Sequence, residues 1–533
     1  MLRSPRGGAR CGSYRDAVTT RASSTLQEAV VGVLAGAATL ATAFLLAAVT
    51  HLSNPVVAVG SLLIDLAPPG VKTVVIALFG TGDKLFLIVL LGVVILALSV
   101  VVGILQLRRE PLGLLLLLIV AFIATLASAT RAGATVLSIV PPVAGAIVGC
   151  LVLRAAARRL TTWRATQAPE APAGRAGLAR RSFLQYSGLT AAASIAGLVV
   201  GGVVSGAGTA ASAVRRAIQL PAPASPAPPV PAAADLAIDG LTPYLVPNGQ
   251  FYRIDTALVV PTVDAEKWSL RITGMVENEV TITFAELLAL PLQERIITLT
   301  CVSQEIGGDL IGNARWLGYP IRELLARARP TAGADMVLST SVDGFTAGTP
   351  LQVLQDPARD SLLAVGMNGQ PLPLEHGFPV RMVVPGLYGY VSATKWVVEL
   401  KVTTFAKDQG YWTPRGWSAL GPVKLSSRID TPTNGISVSA GRVVVAGVAW
   451  AQHTGISRVQ LRVDDGPWQD AALAELVTVD SWLQWSYVWQ ATAGQHRLTV
   501  RATDANGLVQ TAAYADPAPN GSTGLHSITV QVA

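Results

Sequence analysis

Apolar segments long enough to cross a bilayer occupy much of residues 1–215 of this chain. A helix needs about 20 consecutive apolar residues to span the hydrocarbon core of a membrane. Four uncharged segments reach that length, and a fifth is longer and rich in Gly and Ala: 29–50, 85–107, 111–130, 132–153 and 187–214. The 533-residue chain is 51% hydrophobic and only 14% charged, which excludes a wholly soluble protein. The sequence therefore predicts an α-helical membrane region of about five spans.

Arginines mark alternate ends of these segments. They precede the first, follow the second and follow the fourth: Arg3, Arg6, Arg10, Arg108, Arg109, Arg154, Arg158, Arg159 and Arg164. Because cationic side chains stay on the cytoplasmic side, we predict a cytoplasmic amino terminus and an extracytoplasmic location after residue 215. Shorter apolar pieces at 55–64 and 73–79 are interpreted as interfacial or re-entrant. The net charge of +7 goes with membrane topology, so no nucleic acid partner is expected.

Residues 179–185, Ala-Arg-Arg-Ser-Phe-Leu-Gln, directly precede the fifth segment. Two arginines, a Phe-Leu pair and a weakly hydrophobic helix resemble the twin-arginine export signal, which a translocase for folded proteins reads. Another cytoplasmic basic cluster is the alternative interpretation. We expect the helix to be retained as an anchor, with cleavage near residues 211–213 as the alternative. The Pro/Ala run at 220–234 predicts an extended spacer that lifts the next domain off the membrane.

From residue 235 the composition becomes that of a soluble α+β domain, in which one cysteine follows a predicted strand. The strand patterns cover 268–273, 280–284 and 296–300, and helix patterns start at 285 and cover 321–328. Cys301 follows the third strand and precedes the permissive pair Gly307-Gly308. The alternative is a cysteine that acts only as a small buried hydrophobe. No other cysteine follows residue 215, so an internal disulfide is excluded there.

Several separated motifs between residues 249 and 404 resemble, in order, the sulfite oxidase family. They are Phe251-Tyr252-Arg253-Ile254-Asp255, Leu299-Thr300-Cys301-Val302-Ser303, Gly312-Asn313-Ala314-Arg315-Trp316, Met367-Asn368-Gly369-Gln370-Pro371-Leu372-Pro373, His376-Gly377-Phe378-Pro379-Val380-Arg381-Met382-Val383-Val384-Pro385-Gly386 and Lys395-Trp396. The resemblance implies a molybdopterin cofactor with one molybdenum per chain. It also implies that one protein thiolate ligates the metal, and Cys301 matches that position.

The resemblance further implies which residues form the site. Cys301 and Arg253 match the catalytic positions, and Cys301 is the implied metal ligand. The implied cofactor-binding residues are Tyr252, Cys301, Ser341, Asp343, His376, Arg381, Thr394 and Lys395. An arginine fork and a lysine charge suit the anionic phosphate of the pterin. For Ser341 and Asp343 an ordinary hydrogen-bonding role is the alternative.

Two departures from the family pattern concern the substrate. Gln304 and Glu305 stand where sulfite oxidases carry arginines, and Phe345 stands where they carry a tyrosine. An oxyanion such as sulfite would lose a cation and a hydroxyl donor at such a site. The substrate is therefore expected to be a small oxyanion or an S-oxide. A reductase of sulfoxides, such as oxidised methionine, is the alternative activity.

Short alternating strands recur from residue 424 and predict an immunoglobulin-like sandwich. They cover 442–448, 456–463, 485–491, 496–502 and 527–532. The resemblance implies that this domain mediates a homodimer. Its tryptophans are expected in a core or an interface: Trp468, Trp482, Trp485 and Trp489. The predicted domains are a basic head (1–25), a four-span region (26–160), a loop with the export signal and fifth span (161–215), a linker (216–240), the molybdopterin domain (241–420) and the sandwich (421–533).

The chain has five histidines, and of these only His51 lies near a span. A bis-histidine haem needs two facing histidines, and the Cys-x-x-Cys-His motif is absent, so no haem is expected. Electrons would then pass to or from a separate protein. We predict a molybdenum-dependent oxidoreductase anchored in the cell membrane. A catalytically inactive, membrane-tethered binding protein is the alternative from another class, and transport through the spans is disfavoured because they lack polar residues at mid-depth.

Overall fold

The computed structural model describes residues 10–50, 52–68, 71, 75, 78–79, 82–131, 134–167, 175–204 and 207–533. The chain forms two compact units, Met1–Gly208 and Thr209–Ala533. The first unit is helical, and the second contains an α+β domain followed by a β-sandwich. Arg3 and Arg6 of the predicted basic head, and most of the predicted segment 73–79, lie outside the described residues.

The helices of the first unit carry the predicted apolar segments. Their bounds are α1 Arg10–Thr50, α2 Pro55–Leu66, α3 Asp83–Arg108, α4 Leu112–Ala129, α5 Val140–Ala165 and α6 Arg175–Val204. Five stretches of the described helices are long and apolar enough to cross a membrane: Ser24–Thr50, Lys84–Arg108, Leu112–Ala129, Val136–Ala165 and Arg175–Val204. The five-span prediction is confirmed by length and composition.

The bounds of the last two spans differ from the prediction. The fourth was expected to end at residue 153, but α5 continues through Arg154 and Arg158 to Ala165. The fifth was expected at 187–214, but α6 begins at Arg175 and ends at Val204. Arginine has a high helix propensity, so a helix continues through it even where the apolar pattern stops. The short piece at 55–64 forms α2, whose 12 residues are too few to span.

Polar contacts place several helix ends together. Glu28 near the start of the apolar part of α1 pairs with Arg108 at 2.7 Å and with Arg164 at 3.1 Å. The ring of Trp163 stacks on Phe183 with centroids 5.6 Å apart, which brings the start of α6 to the same place. The carboxyl ends of α3 and α5 and the amino end of α6 therefore share one end of the helical unit, as alternating spans require.

The helix α7, Ala207–Ala217, includes the first residues of the second unit, and the Pro/Ala run follows it. This run, predicted to be an extended spacer, is hydrogen-bonded to the domain that follows it. The Ala224 N–H donates to the Leu292 carbonyl at 2.7 Å, and the Glu294 N–H donates to the Ser225 carbonyl at 2.8 Å. The run lies along the start of a strand whose edge would otherwise present unpaired backbone groups. It is part of the domain edge.

Two sheets build the α+β domain. Its elements are β1 Ser269–Gly274, β2 Val280–Thr283, α8 Phe284–Leu288, β3 Gln293–Thr300, β4 Ile311–Pro320, α9 Ile321–Ala328, β5 Met336–Ser341, β6 Thr346–Pro350, α10 Leu351–Gln355, β7 Leu362–Met367, β8 Gln370–Pro371, β9 Arg381–Val383 and β10 Val397–Thr403. One sheet has the order β2-β1-β10-β5-β6, and the other β3-β4-β7-β8 with β9 on β7. The predicted strands and helices of this region are all present within a few residues.

Local sequence explains where α8 begins. The Thr283 hydroxyl accepts from the Glu286 N–H at 3.3 Å, and the Glu286 carboxylate accepts from the Thr283 N–H at 2.8 Å. This reciprocal capping box satisfies two donors that the first helical turn leaves free. The helix leads directly into β3, the strand that ends at Cys301.

The carboxy-terminal domain is a sandwich of two sheets. Its strands are β11 Ser426–Thr431, β12 Ser437–Val438, β13 Gly441–Trp450, β14 Ile456–Val463, β15 Gln469–Asp470, β16 Ala472–Leu473, β17 Leu483–Ala491, β18 Gly494–Asp504 and β19 Ser527–Val532. The sheet orders are β11-β13-β17-β16 and β12-β19-β18-β14-β15. Trp482, Trp485 and Trp489 are buried, as predicted. Trp468 is half-buried under the guanidinium groups of Arg462 and Arg501.

Candidate functional site

Cys301 lies at the end of β3, as the sequence predicts, and only 8% of its surface is exposed. Residues Ile296–Thr300 of the strand are all buried, which fixes the thiol against the core. The Cys301 N–H donates to the Leu310 carbonyl at 2.9 Å and closes a loop before β4. Burial raises the pKa of the thiol, while N–H groups of Ser303 and Val302 lower it by stabilising the thiolate.

Gln304 stabilises the loop from Cys301 to Leu310, which we call the cysteine loop. Its side-chain amide donates to the Gly308 carbonyl at 2.6 Å and accepts from the Leu310 N–H at 2.5 Å. Only 4% of Gln304 is exposed, so its amide is used inside the loop, whereas Glu305 is exposed. Neither residue supplies a cation near Cys301, consistent with the departure noted in the sequence.

His376, Arg381 and Lys395 come together although 19 positions separate the first from the last. His376 ends a 3-10 turn, Arg381 begins β9, and Lys395 precedes β10. Gly377 lies at their junction with φ of 110°, and a Cβ there would lie only 3.0 Å from the Arg381 Cβ and 3.1 Å from the Lys395 Cβ. A glycine is therefore required for the three segments to meet. We call these three side chains the basic cluster.

The basic cluster is buried, and burial lowers the pKa of all three side chains, which favours their neutral forms. Burial lowers the pKa of Arg381 to about 10 and that of Lys395 to about 8, although Asp255 opposes the second shift. Burial and the charges of Arg381 and Lys395 lower the pKa of His376 to about 3, so its ring is neutral at pH 7. His376 contacts the Asn248 carbonyl at 3.1 Å through Nε2.

Arg381 fits a bound anion. Its guanidinium donates to the backbone carbonyls of His376 at 3.2 Å and Ala393 at 3.4 Å, and lies 5.1 Å from the Trp316 ring. Among the residues that the structure describes, no carboxylate forms an ion pair with Arg381. A buried cation without a counter-charge is costly, and an anionic phosphate would offset that cost. The cluster therefore suits the phosphate of a pterin cofactor.

Asp255 and Arg253 border the basic cluster. The Asp255 carboxylate accepts from Lys395 at 2.6 Å and from Arg253 at 2.9 Å, and its side chain is only 3% exposed. Arg253 keeps about a third of its side chain in solvent, 36%. The sequence placed Asp255 inside a motif without assigning it a role. A carboxylate two positions after a predicted site arginine was the signal that could have identified it.

Two tyrosines lie near the thiol. Tyr252 is close enough to Cys301 and Arg381 for both charges to act on it, and burial raises the pKa of its hydroxyl. Burial also raises the pKa of Tyr388 to about 12, with a contribution from Cys301, so Tyr388 keeps its proton at pH 7. The Tyr388 hydroxyl accepts a weak hydrogen bond from the Lys424 N–H at 3.4 Å. Sequence reasoning missed Tyr388, which no single-residue pattern distinguishes from its neighbour Tyr390.

The remaining predicted residues have local partners. The Ser341 N–H donates to the Phe345 carbonyl at 2.9 Å, and the Asp343 carboxylate accepts from the Phe345 N–H at 3.2 Å, so both organise the turn between β5 and β6. Thr394 is fully buried and bonds the Ser339 hydroxyl at 2.7 Å. These contacts match the ordinary hydrogen-bonding role that the sequence left open for Ser341 and Asp343.

Residues of the sandwich domain donate hydrogen bonds to the cysteine loop and to Thr300 just before it. The sequence did not indicate these contacts. Arg428 donates to the Gly308 carbonyl at 2.7 Å, and the Ser522 hydroxyl donates to the Gln304 carbonyl at 2.6 Å. The Gln452 amide donates to the Thr300 hydroxyl at 2.9 Å, one residue before the thiol. Three strands or loops of one domain thus hold both ends of a loop in the other.

A metal at this place would have a thiolate ligand and no wider set of protein ligands. Within the described residues, no group of three or more His, Cys, Asp or Glu is arranged to hold a metal ion. The donor set therefore fits a metal that a cofactor largely holds and one soft thiolate completes.

Family comparisons agree with this division of the chain. Residues 257–412 match the family described as oxidoreductase molybdopterin binding domain, and residues 426–500 match the bacterial Ig domain. The mitochondrial sulfite oxidase of Rattus norvegicus is 29% identical over 272 residues, which cover 43% of this chain and 49% of that protein. The sulfite oxidase of Gallus gallus is 27% identical over 317 residues, 50% of this chain and 68% of that protein.

Two further proteins are similar to parts of this chain. An NADH nitrate reductase of Brassica napus is 33% identical over 178 residues, 28% of this chain and 19% of that protein. The solved structure of the sulfane dehydrogenase SoxCD from Paracoccus pantotrophus aligns with a TM-score of 0.48 and 22% identity, over 55% of this chain and 82% of that one. The chain spans about half the length of the first curated relatives that it matches. Residues 257–412 are thus a molybdopterin-binding oxidoreductase domain, and over this region the chain is similar to sulfite oxidases.

Proposed function

We propose that this chain is a membrane-anchored oxidoreductase that transfers an oxygen atom to or from a sulfur substrate outside the cytoplasm. The observation that carries the proposal is that Tyr252 lies near enough to both Cys301 and Arg381 for each to affect the pKa of its hydroxyl. The ring of the adjacent Phe251 stacks on Tyr252 at 5.2 Å and lies 5.6 Å from the ring of His376. A thiol and an anion-binding cluster thus lie in one region of the domain, as a metal-bearing pterin needs.

Different residues of the site would bind different parts of the cofactor. Cys301 would ligate the molybdenum, and Arg381 and Lys395 would bind the phosphate of the pterin. When bound, the molybdenum centre supplies the two-electron, oxygen-atom chemistry. Burial around Cys301 excludes water from the thiol. The Tyr388 hydroxyl, which keeps its proton at pH 7, would donate a hydrogen bond to a substrate oxygen.

Reduction of a neutral sulfoxide is the second candidate activity. Gln304 stands at a position where sulfite oxidases carry an arginine, and its side-chain amide is already hydrogen-bonded within its own loop. Arg253 is paired with Asp255, so part of its charge is already compensated. Both features weaken the attraction of a sulfite dianion relative to an uncharged S-oxide.

Anchoring, electron exchange and dimer formation belong to the same proposal. The five apolar helices and the arginines at one end of the first unit support a multi-pass anchor with a cytoplasmic amino terminus. The absence of paired histidines near the spans supports electron exchange with a separate protein and no haem on this chain. Mass photometry of the full chain in detergent tests the homodimer.

Metal analysis and paired assays test the activity. The full chain, expressed in a host that makes molybdopterin, should contain about one molybdenum per chain. Cys301→Ser should lower turnover by at least about 100-fold, because the thiolate ligand is lost, while Cys150→Ser leaves it unchanged. Turnover of sulfite with an electron acceptor, against turnover of a sulfoxide with a donor, separates the two activities.

Two results would overturn the proposal. Full activity in the Cys301→Ser protein would remove Cys301 from the chemistry. A folded protein without molybdenum in such a host, and without turnover in either assay, would favour a membrane-tethered binding protein.

A further inference from the structure

A groove of about 450 Å³ lies between α5 and α6 in the helical unit. Its lining combines two arginines, three other polar side chains and two leucines: Arg159, Arg181, Ser182, Gln185, Tyr186, Leu178 and Leu189. We call it the α5–α6 groove. It lies outside the molybdopterin-binding domain, and the proposed function does not use it.

The two arginines of the groove carry uncompensated charge. The Arg159 guanidinium lies 4.1 Å from the centroid of the Tyr186 ring and donates to the Ala155 carbonyl at 3.1 Å, so it is held in place. Arg181 is exposed. Glu28 pairs with two other arginines, and Asp65 pairs with Arg131. Among the residues that the structure describes, neither Arg159 nor Arg181 has a carboxylate partner. The groove is therefore ready to accept an anion.

The lining of the groove changes from charged to apolar along α6. It lies at the end of the unit where Glu28 meets Arg164, because Trp163 of α5 stacks on Phe183 of α6 beside it. Leu189 is eight residues beyond Arg181 on α6, about 12 Å along the helix axis toward its apolar part. The groove is thus charged near the start of α6, at Arg181, and apolar further along the helix, at Leu189. Both residues lie within the stretch that is long enough to span a membrane.

We propose that the α5–α6 groove binds the phosphate of an anionic membrane lipid, with the headgroup at Arg159 and Arg181 and an acyl chain along Leu189. An arginine fork matches a phosphate, and basic grooves between spans on the cytoplasmic side recognise anionic headgroups. The leucines favour a lipid over free phosphate, because inorganic phosphate gains nothing from an apolar wall. Arg181 then has a role in the folded protein besides any role in export. The proposal rests on the membrane anchoring proposed above, and not on the activity.

Native mass spectrometry of the full chain released from nanodiscs tests the lipid site. Nanodiscs containing equal amounts of phosphatidylglycerol and phosphatidylcholine with the same acyl chains provide the probe. We expect one phosphatidylglycerol to be retained preferentially, about tenfold over phosphatidylcholine. Arg159→Gln and Arg181→Gln should abolish this preference, and Arg159→Lys should restore most of it because the charge remains. Arg175→Gln, at an exposed arginine of α6 outside the groove, should leave it unchanged.

Each contrary result has one meaning. Equal retention of the two lipids, or a preference that survives in Arg159→Gln, overturns the lipid site while leaving the anchoring intact. Displacement of the lipid by millimolar inorganic phosphate would assign the groove to free phosphate instead. A chain that does not enter nanodiscs at all overturns the anchoring and, with it, this site. Arg159 lies outside the export motif, so its variants separate lipid binding from export.

Discussion

The Lys395 ammonium donates a 2.6 Å hydrogen bond to the Asp255 carboxylate, and both side chains are almost fully buried. The same carboxylate oxygen accepts from Arg253 at 2.9 Å. One acid thus sits between the basic cluster and the more exposed Arg253. It keeps Lys395 charged in a place where burial alone would favour the neutral amine.

Replacing Asp255 by Asn should weaken retention of the cofactor by about tenfold at pH 7.5, equivalent to about 1.4 kcal/mol. The groups facing Lys395 are Asp255, which raises its pKa, and Arg381 and Arg253, which lower it. Without the carboxylate the pKa falls below its value of about 8, and the amine loses its charge at neutral pH. Cofactor content of the two proteins after gel filtration at pH 7.5 measures the effect.

The wild-type chain should itself lose cofactor as the pH rises through about 8, because Lys395 is charged only below its pKa. In Asp255→Asn this loss should begin at a lower pH. Asp465→Asn, at an exposed acid of the sandwich, is the control and should match the wild type. Identical pH profiles for Asp255→Asn and wild type would contradict the role of this pair.

His526 should make the second unit sensitive to acid. Burial lowers its pKa to about 4, and its Nδ1 accepts from the Ile429 N–H at 3.0 Å. The unfolded chain takes up a proton below about pH 6.5, whereas the folded chain does not until about pH 4. Stability contributed by the neutral ring is therefore present above pH 6.5 and falls by up to about 1.4 kcal/mol per pH unit below it.

His526→Asn should flatten this acid loss, because Asn keeps an acceptor near Nδ1 and does not titrate in that range. Tryptophan fluorescence during urea unfolding of the full chain at pH 7 and pH 5 measures the change. His496→Asn is the control: Asp464 raises the pKa of His496, so its contribution is lost as pH rises and not as it falls. An acid slope that is the same in wild type and His526→Asn would contradict the prediction.

Arg428→Gln should loosen the cysteine loop. The change removes the 2.7 Å hydrogen bond to the Gly308 carbonyl and the 2.9 Å bond to the Thr242 hydroxyl. We expect iodoacetamide to alkylate Cys301 about tenfold faster in cofactor-free protein, because the thiol is protected mainly by burial in this loop. Arg458→Gln removes an exposed arginine that pairs with Asp470 in the same domain and should not change the rate.

Tyr388→Phe should lower kcat by about tenfold and leave KM nearly unchanged, because a hydrogen-bond donor near Cys301 would act mainly in the transition state. Turnover of whichever substrate the enzyme accepts provides the measurement. Tyr514→Phe, at an exposed tyrosine, is the control. A rise in KM with unchanged kcat would mean that Tyr388 binds the ground state instead.

Replacing Arg180 and Arg181 together by Lys should stop export of the second unit while leaving its charge unchanged. A translocase that reads paired guanidinium groups would not accept lysines, whereas a topology signal would. A reporter fused after residue 533 and assayed on each side of the membrane detects the difference. The pair Arg215→Lys and Arg216→Lys is the matched control. Normal export of the Arg180→Lys, Arg181→Lys variant would mean that these arginines act only as a basic cluster that sets topology.

Local patterns in the sequence were enough to predict the long helices, many of the strands and the position of Cys301. Runs of apolar residues define five long helices, because a span must satisfy all its backbone hydrogen bonds within itself. Period-two alternation located the strands of the sandwich, and Cys301 was placed correctly at the end of β3. The resemblance carried by short motifs also identified His376, Arg381 and Lys395, which the fold brings together.

Only the tertiary structure decided how these pieces act on each other. The Pro/Ala run pairs with β3, Asp255 bridges Lys395 and Arg253, and Arg428 supports a loop 120 positions away. Such contacts depend on where distant backbone segments meet, and period or propensity within a short window does not encode that. The pKa of Lys395 likewise depends on burial and on a carboxylate 140 positions away, so its charge state follows from the fold.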